Sequence, residues 1–173
     1  VCAGSFGWPT PAVPGQPVGE DTNQWEDPRA TIADIDLEVH PGELVLISGP
    51  VACGKSTLMH SLVGNTEKLS GSVSVPGIAF QPQSPILFDQ TIRSNILFGL
   101  PEDTVDDKSF RECLAASTLE CDMNDPESTL HVKREWTQCG QGGSELSGGQ
   151  QARVALARCI YAALVGPSDM CVI

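Results

Sequence analysis

Gly49-Pro50-Val51-Ala52-Cys53-Gly54-Lys55-Ser56 spells G-x-x-x-x-G-K-S and follows directly on the apolar run Leu44-Val45-Leu46-Ile47. A continuous apolar run predicts a strand buried on both faces. The residues from Ser56 to Val63 read as a helix. Strand, glycine loop, helix is the setting in which this string becomes a triphosphate cradle. Its backbone N–H groups turn inward toward phosphate oxygens, Lys55 reaches the β and γ oxygens, and the Ser56 hydroxyl can ligate Mg²⁺. Gly49, Pro50, Val51, Ala52, Cys53, Gly54, Lys55, Ser56 and Thr57 are therefore the candidate phosphate-binding residues, and the implied ligand is ATP with Mg²⁺.

Working outward, the 173 residues are 40% hydrophobic and 18% charged, enough for one packed domain. The net charge of −12 lacks the basic stripe of a nucleic-acid binder. It does not oppose ATP binding, which needs local N–H groups and one lysine. Seven cysteines are scattered without a C-x-x-C pair, which fits reduced thiols better than a disulfide framework. No run of eighteen apolar residues is present to span a membrane. The chain has no initiator Met or signal peptide and is expected to be a piece of a longer protein.

Along the chain, residues 9–30 are proline-rich and polar and read as a loop or insertion. Ile35, Leu37 and Val39 alternate with polar residues, as in a strand with one wet face. Val73, Val75 and Ile78-Ala79-Phe80 suggest a weak hairpin. Helices are expected over 92–98, 110–119 and 149–164, with irregular chain over 120–145. The last helix has Val154, Ala157, Ile160, Tyr161 and Leu164 spaced for one buried face. A strand is expected to begin at Met170. Alternating strands and helices around a phosphate loop imply a parallel α/β core.

Leu146-Ser147-Gly148-Gly149-Gln150 spells LSGGQ. With the phosphate loop upstream of it, the chain resembles the nucleotide-binding domain of ATP-binding-cassette proteins, for which LSGGQ is the family signature. Thr91-Ile92-Arg93-Ser94-Asn95-Ile96-Leu97-Phe98-Gly99 resembles the T-I-x-x-N-I-x-F-G of exporter-type cassettes, especially subfamily C, the multidrug-resistance-associated group. The resemblance implies a P-loop NTPase core, an antiparallel β subdomain and an inserted α-helical signature subdomain over about 84–150. It also implies two cassettes that sandwich ATP head to tail, with Ser147, Gly148, Gly149 and Gln150 facing the nucleotide of the opposite cassette. A second nucleotide-binding domain and transmembrane domains are the implied partners, at the cytoplasmic face of a membrane. Nucleic acid is not among them.

The same resemblance places the catalytic glutamine on Gln83, within Ile78-Ala79-Phe80-Gln81-Pro82-Gln83, as a ligand of Mg²⁺ or of the attacking water. Gln81 is its weaker rival. The resemblance also implies an aromatic residue stacked on adenine, with Trp8, in Ser5-Phe6-Gly7-Trp8, as the expected one and Trp25 as the competing choice. The chain departs from the family pattern at Ala52, where glycine is common. If that position takes a positive φ, alanine costs about 1 kcal/mol. Gln141 replaces a glutamate common before the signature. The metal-site aspartate, the catalytic glutamate and the switch histidine are expected beyond Ile173, so the domain is read as C-terminally truncated. His40, His60 and His131 are expected at the surface or in packing.

Overall fold

The computed structural model describes residues 1–9, 30–75, 77–166 and 170–172, the last three by backbone alone. The chain is mixed α/β and divides into two compact units, Val1–Val75 and Pro76–Ile173.

In the first unit, β1 (Cys2–Gly7) lies between β2 (Ile32–Ile35) and β3 (Glu67–Ser72), antiparallel to both. Phe6 opposes Ile32 on one side and Lys68 on the other. Its ring is 2% exposed, burial that contributes about 1.5–3 kcal/mol. Gly71, at φ +74°, passes so close to β1 that a Cβ would stand 2.5 Å from the Ala3 carbonyl oxygen. Helix α1 (Lys55–Leu62) packs beside this sheet.

Three expectations fail here. Residues 44–47 form no strand, and Leu44 and Leu46 are 95% and 88% exposed. A strand buried on both faces needs a lateral partner along its edges, and among the described residues nothing pairs with this run. The alternating stretch 35–39 contributes only its first residue to β2. Of the hairpin expected over 73–80, only Ile78–Phe80 is a strand among the described residues, and it pairs with Met170–Val172 rather than with residues 73–75. The strand before Ile78 is Glu67–Ser72 instead, and it pairs with β1.

In the second unit, β4 (Ile78–Phe80) pairs in parallel with β5 (Met170–Val172), Ile78 opposite Met170. Parallel strands require a long crossover. Here the crossover carries α2 (Ile92–Leu97), α3 (Asp107–Ala116), α4 (Leu119–Asn124) and α5 (Gly148–Val165). Ile92, Ile96, Phe110, Leu119, Met123, Leu130, Val154 and Tyr161 pack into one core cluster. Phe110 meets Tyr161 edge to face at 6.0 Å, and the Arg93 guanidinium lies 4.5 Å above the Phe110 ring centroid. Val154, Ala157 and Tyr161 of the expected α5 face are buried and Ile160 packs against the core. Ala155 and Cys159 are buried as well, and only Leu164, 42% exposed, departs from that face.

Side chains close the N-termini of three helices. Thr91 accepts from the Ser94 amide, Asp106 from the Ser109 amide, and Ser147 from the Gln150 amide. These contacts satisfy amides the helix itself leaves without partners.

Candidate nucleotide site

Helix α1 starts differently. It follows Gly54, which sits at φ +94° and gives no side-chain cap, and its first turn has no acidic residue. A Cβ on Gly54 would lie 2.5 Å from the Ile32 Cγ2 atom, so the loop can pass β2 only as glycine. Ala52 takes φ +65°, the left-handed conformation in which alanine is strained. The sequence expectation of a strained turn at this residue is met. Lys55 Nζ donates to the carbonyls of Gly49 at 2.9 Å and Pro50 at 2.7 Å, and approaches Cys53 Sγ at 3.7 Å. These neutral acceptors leave the full ammonium charge at the mouth of the loop. Ser56 is exposed on the first turn, and Thr57 is buried.

Trp8 follows directly on β1 and is 42% exposed. Its indole N–H donates to Thr57 Oγ1 at 3.3 Å, and its ring meets His60 edge-on with centroids 5.4 Å apart. Positions 57 and 60 are one helical turn apart and share a face of α1. The strand end, the aromatic ring and the phosphate-loop helix are thus joined in one unit. Trp25 lies outside the described residues, as does all but the edges of the 9–30 stretch.

The second unit carries the other candidates. Gln83 is exposed in a bend beyond β4. Gln81 is half-buried, and its Oε1 has no hydrogen-bond partner among the described residues. Ser147, Gly148 and Gly149 lie together at the exposed start of α5. Ser147 and Gln150 form a reciprocal capping box, with the Ser147 amide donating to Gln150 Oε1 at 3.0 Å. Gln150 is buried, so its amide group sets the cap. A Cβ on Gly148 would meet nothing within 4 Å, and one on Gly149 only the Arg153 side chain at 3.4 Å or more.

Sequence reading missed the hydrogen-bonded node behind this helix. Asn95 is 1% exposed. Its Oδ1 accepts from the Phe88 amide at 2.9 Å and from Arg158 Nη2 at 3.0 Å. Its Nδ2 donates to the Phe88 carbonyl at 3.0 Å and contacts Cys139 Sγ at 3.3 Å. Arg158 also donates to the carbonyls of Asn95 at 2.7 Å and Ile86 at 2.8 Å. Its guanidinium stands 4.9 Å from the Phe98 ring and 5.9 Å from the Phe88 ring. Burial lowers its pKa from the usual arginine value. Burial also pushes the Cys139 thiol up to about 11 and the Cys113 thiol up to about 12. Nearer the start of α5, Arg153 pairs with Asp122 through two contacts of 2.6 and 2.9 Å.

Comparison with known proteins gives the family. The family model described as ABC transporter matches residues 32–164, from β2 through the phosphate loop, the signature and most of α5. The chain belongs to the ABC transporter family. It is similar to ATP-binding cassette sub-family C member 3 of Rattus norvegicus, 37% identical over 142 residues, covering 81% of this chain and 9% of that protein. ABC transporter C family member 13 of Arabidopsis thaliana is 40% identical over 141 residues, again 81% of this chain and 9% of the relative. Multidrug resistance protein mrp-7 of Caenorhabditis elegans is 37% identical over 145 residues, with the same coverage. The expected resemblance to subfamily C is borne out, and the chain spans about a tenth of the length of these ABC relatives. No helix among the described residues of this ABC domain is long and apolar enough to cross a membrane.

Proposed function

We propose that the chain holds Mg·ATP for an ABC exporter of the multidrug-resistance-associated type and couples its binding and hydrolysis to transport. The observation that carries this reading is the phosphate loop itself, with the Lys55 ammonium at its mouth and α1 lacking a side-chain cap. Helix amides without side-chain partners are a ready anion site. In this reading the amides from Val51 to Thr57 take phosphate oxygens, Lys55 neutralises the β and γ oxygens, and the exposed Trp8 ring stacks on adenine. Gln83 is assigned to the metal or the attacking water. Residues 84–150 form the helical subdomain.

The residues present suit Mg²⁺. Among the described residues no group of three or more His, Cys, Asp or Glu side chains could hold a metal. Mg²⁺ needs no such cage, because it binds through one or two protein oxygens together with phosphates and water. Ser56 supplies a hydroxyl beside Lys55, at the turn where the phosphates would lie. When bound, the ion neutralises charge on the transferring phosphoryl group.

Ser147, Gly148 and Gly149 would act on ATP held by a second cassette. Nothing in the fold requires glycine at 148, and a Cβ at 149 meets only ordinary contact. Bare backbone there leaves room for a ligand to approach the start of α5, where the helix dipole favours negative charge. Binding would close the pair and hydrolysis reopen it. The transmembrane partner would take the surface formed by Ile86, Phe88, Phe98 and Leu100, exposed by 62%, 47%, 61% and 45%. Phe98 presents a large ring to solvent from φ +49°, unfavourable on both counts for a residue with a purely structural part.

Photolabelling with an azido-adenosine triphosphate tests the nucleotide reading. Labelling should be competed by Mg·ATP and should map to peptides containing Trp8. Labelling that Mg·ATP does not compete would overturn it.

A further inference from the structure

Thr57 directly follows the phosphate-loop string and is counted among the candidate phosphate-binding residues, yet it is 6% exposed and its hydroxyl accepts from Trp8. A buried hydroxyl needs a partner. The partner here is an indole N–H, a group that can only donate, at 3.3 Å. Within a helix threonine favours two χ1 rotamers, and the one seen here turns Oγ1 toward the Trp8 indole N–H. The next turn is braced as well. Ser61 Oγ donates to the Thr57 carbonyl at 2.7 Å, and Thr66 Oγ1 donates to Ser61 Oγ at 2.9 Å. His60, three residues on from Thr57, packs against the same indole with the two ring planes inclined at 63°.

We propose that Thr57 is a positioning residue for the base. Its hydroxyl seats Trp8, while its backbone amide remains with the phosphate loop. One turn of α1 then fixes both ends of the nucleotide, the phosphates through its amides and the adenine plane through the indole it anchors. A platform already fixed in place avoids the cost of ordering an aromatic side chain on binding. The inference rests on Trp8 being the adenine platform. It differs from a phosphate-binding part for the Thr57 hydroxyl, in which base and phosphate affinity would fall together.

The test compares Mg·ATP with inorganic tripolyphosphate, which has the phosphates and no base. Thr57→Val keeps the shape and removes the acceptor; Thr57→Ser keeps the acceptor. Trp8→Phe keeps a stacking face and removes the donor. Thr57→Val should weaken Mg·ATP about three- to tenfold, the worth of one net hydrogen bond, and tripolyphosphate far less. Thr57→Ser should restore the ATP affinity. Trp8→Phe should weaken ATP to a similar extent, and the double variant should lose no more than either single one, because both delete the same bond. Equal losses for ATP and tripolyphosphate in Thr57→Val, no loss for either, or additive losses in the double variant would each overturn the proposal. Trp8→Ala separates it from the reading beneath it. If Trp8→Ala leaves the preference for ATP over tripolyphosphate intact, the platform itself is wrong. If Trp8→Ala removes the preference and Thr57→Val does not, only the seat is wrong.

Discussion

Arg158 on α5 donates to the main-chain carbonyl of Asn95 at 2.7 Å and to its side-chain oxygen at 3.0 Å. The two residues lie 63 positions apart in sequence. The contact ties the signature helix to α2 and, through the Phe88 amide and carbonyl, to the exposed aromatic surface. Asn95→Ala should therefore destabilise the chain by at least about 2 kcal/mol, because it leaves a buried amide and a guanidinium short of partners. Urea unfolding checks this through a lowered midpoint at unchanged slope.

How far the sequence revealed this structure depended on the range of the contact involved. The phosphate loop and α1 are legible because residue spacing encodes them, and the signature at the start of α5 because its string resembles the family's. The S-x-x-Q spacing of Ser147 and Gln150 also encodes the capping box, which the ligand-contact expectation for these residues does not include. Leu44-Val45-Leu46-Ile47 misled, since an apolar run states a need for burial without naming the strand that would supply it. β3 was missed for the opposite reason. Lys68 and Ser70 lack an apolar alternation, and their pairing is set by β1, far away in sequence. The Asn95–Arg158 node joins a motif asparagine to an arginine 63 positions away, and no spacing in the sequence announces that pair. Trp8 is a case between these, placed by the resemblance but not shown there to touch Thr57.

Caps can be separated from ligand contacts at Ser147. Ser147→Ala should cost about 1 kcal/mol of stability and Ser147→Gly only a few tenths, because glycine is itself tolerated at the N-cap. Thermal or chemical unfolding of the two variants provides the comparison.

Backbone strain in the phosphate loop gives a pair of opposite outcomes. Ala52→Gly removes a left-handed alanine worth about 1–2 kcal/mol and adds unfolded-chain entropy worth about 0.4–1 kcal/mol. A net gain of a few tenths to about 1 kcal/mol follows. Gly54→Ala has φ +94° and the Ile32 methyl against it and should lose more than about 1 kcal/mol. Unfolding midpoints of both variants decide the signs.

The cysteines should divide by environment. Cys2, Cys53 and Cys121 are exposed and should react with a small maleimide, whereas buried Cys113 and Cys139 should not until the chain unfolds. Mg·ATP should protect Cys53 alone of the exposed three, since an adduct there collides with the phosphates. The raised folded values, about 12 for Cys113 and about 11 for Cys139, carry a pH consequence. Above the ordinary thiol range the unfolded chain releases these protons and the folded chain keeps them, so stability falls as pH rises toward 11 and 12. Cys113→Ala and Cys139→Ala should flatten that slope, measured by unfolding at a series of alkaline pH values.

The central claim is that Lys55 and its loop hold the phosphates of Mg·ATP, and calorimetric titration of wild type beside Lys55→Ala tests it most directly. Wild type should bind Mg·ATP saturably at one site. Lys55→Ala should bind about ten- to a hundredfold more weakly, the loss expected for a charge-assisted contact. Equal affinities in the two proteins would contradict the account, because the loop would then not be a phosphate site.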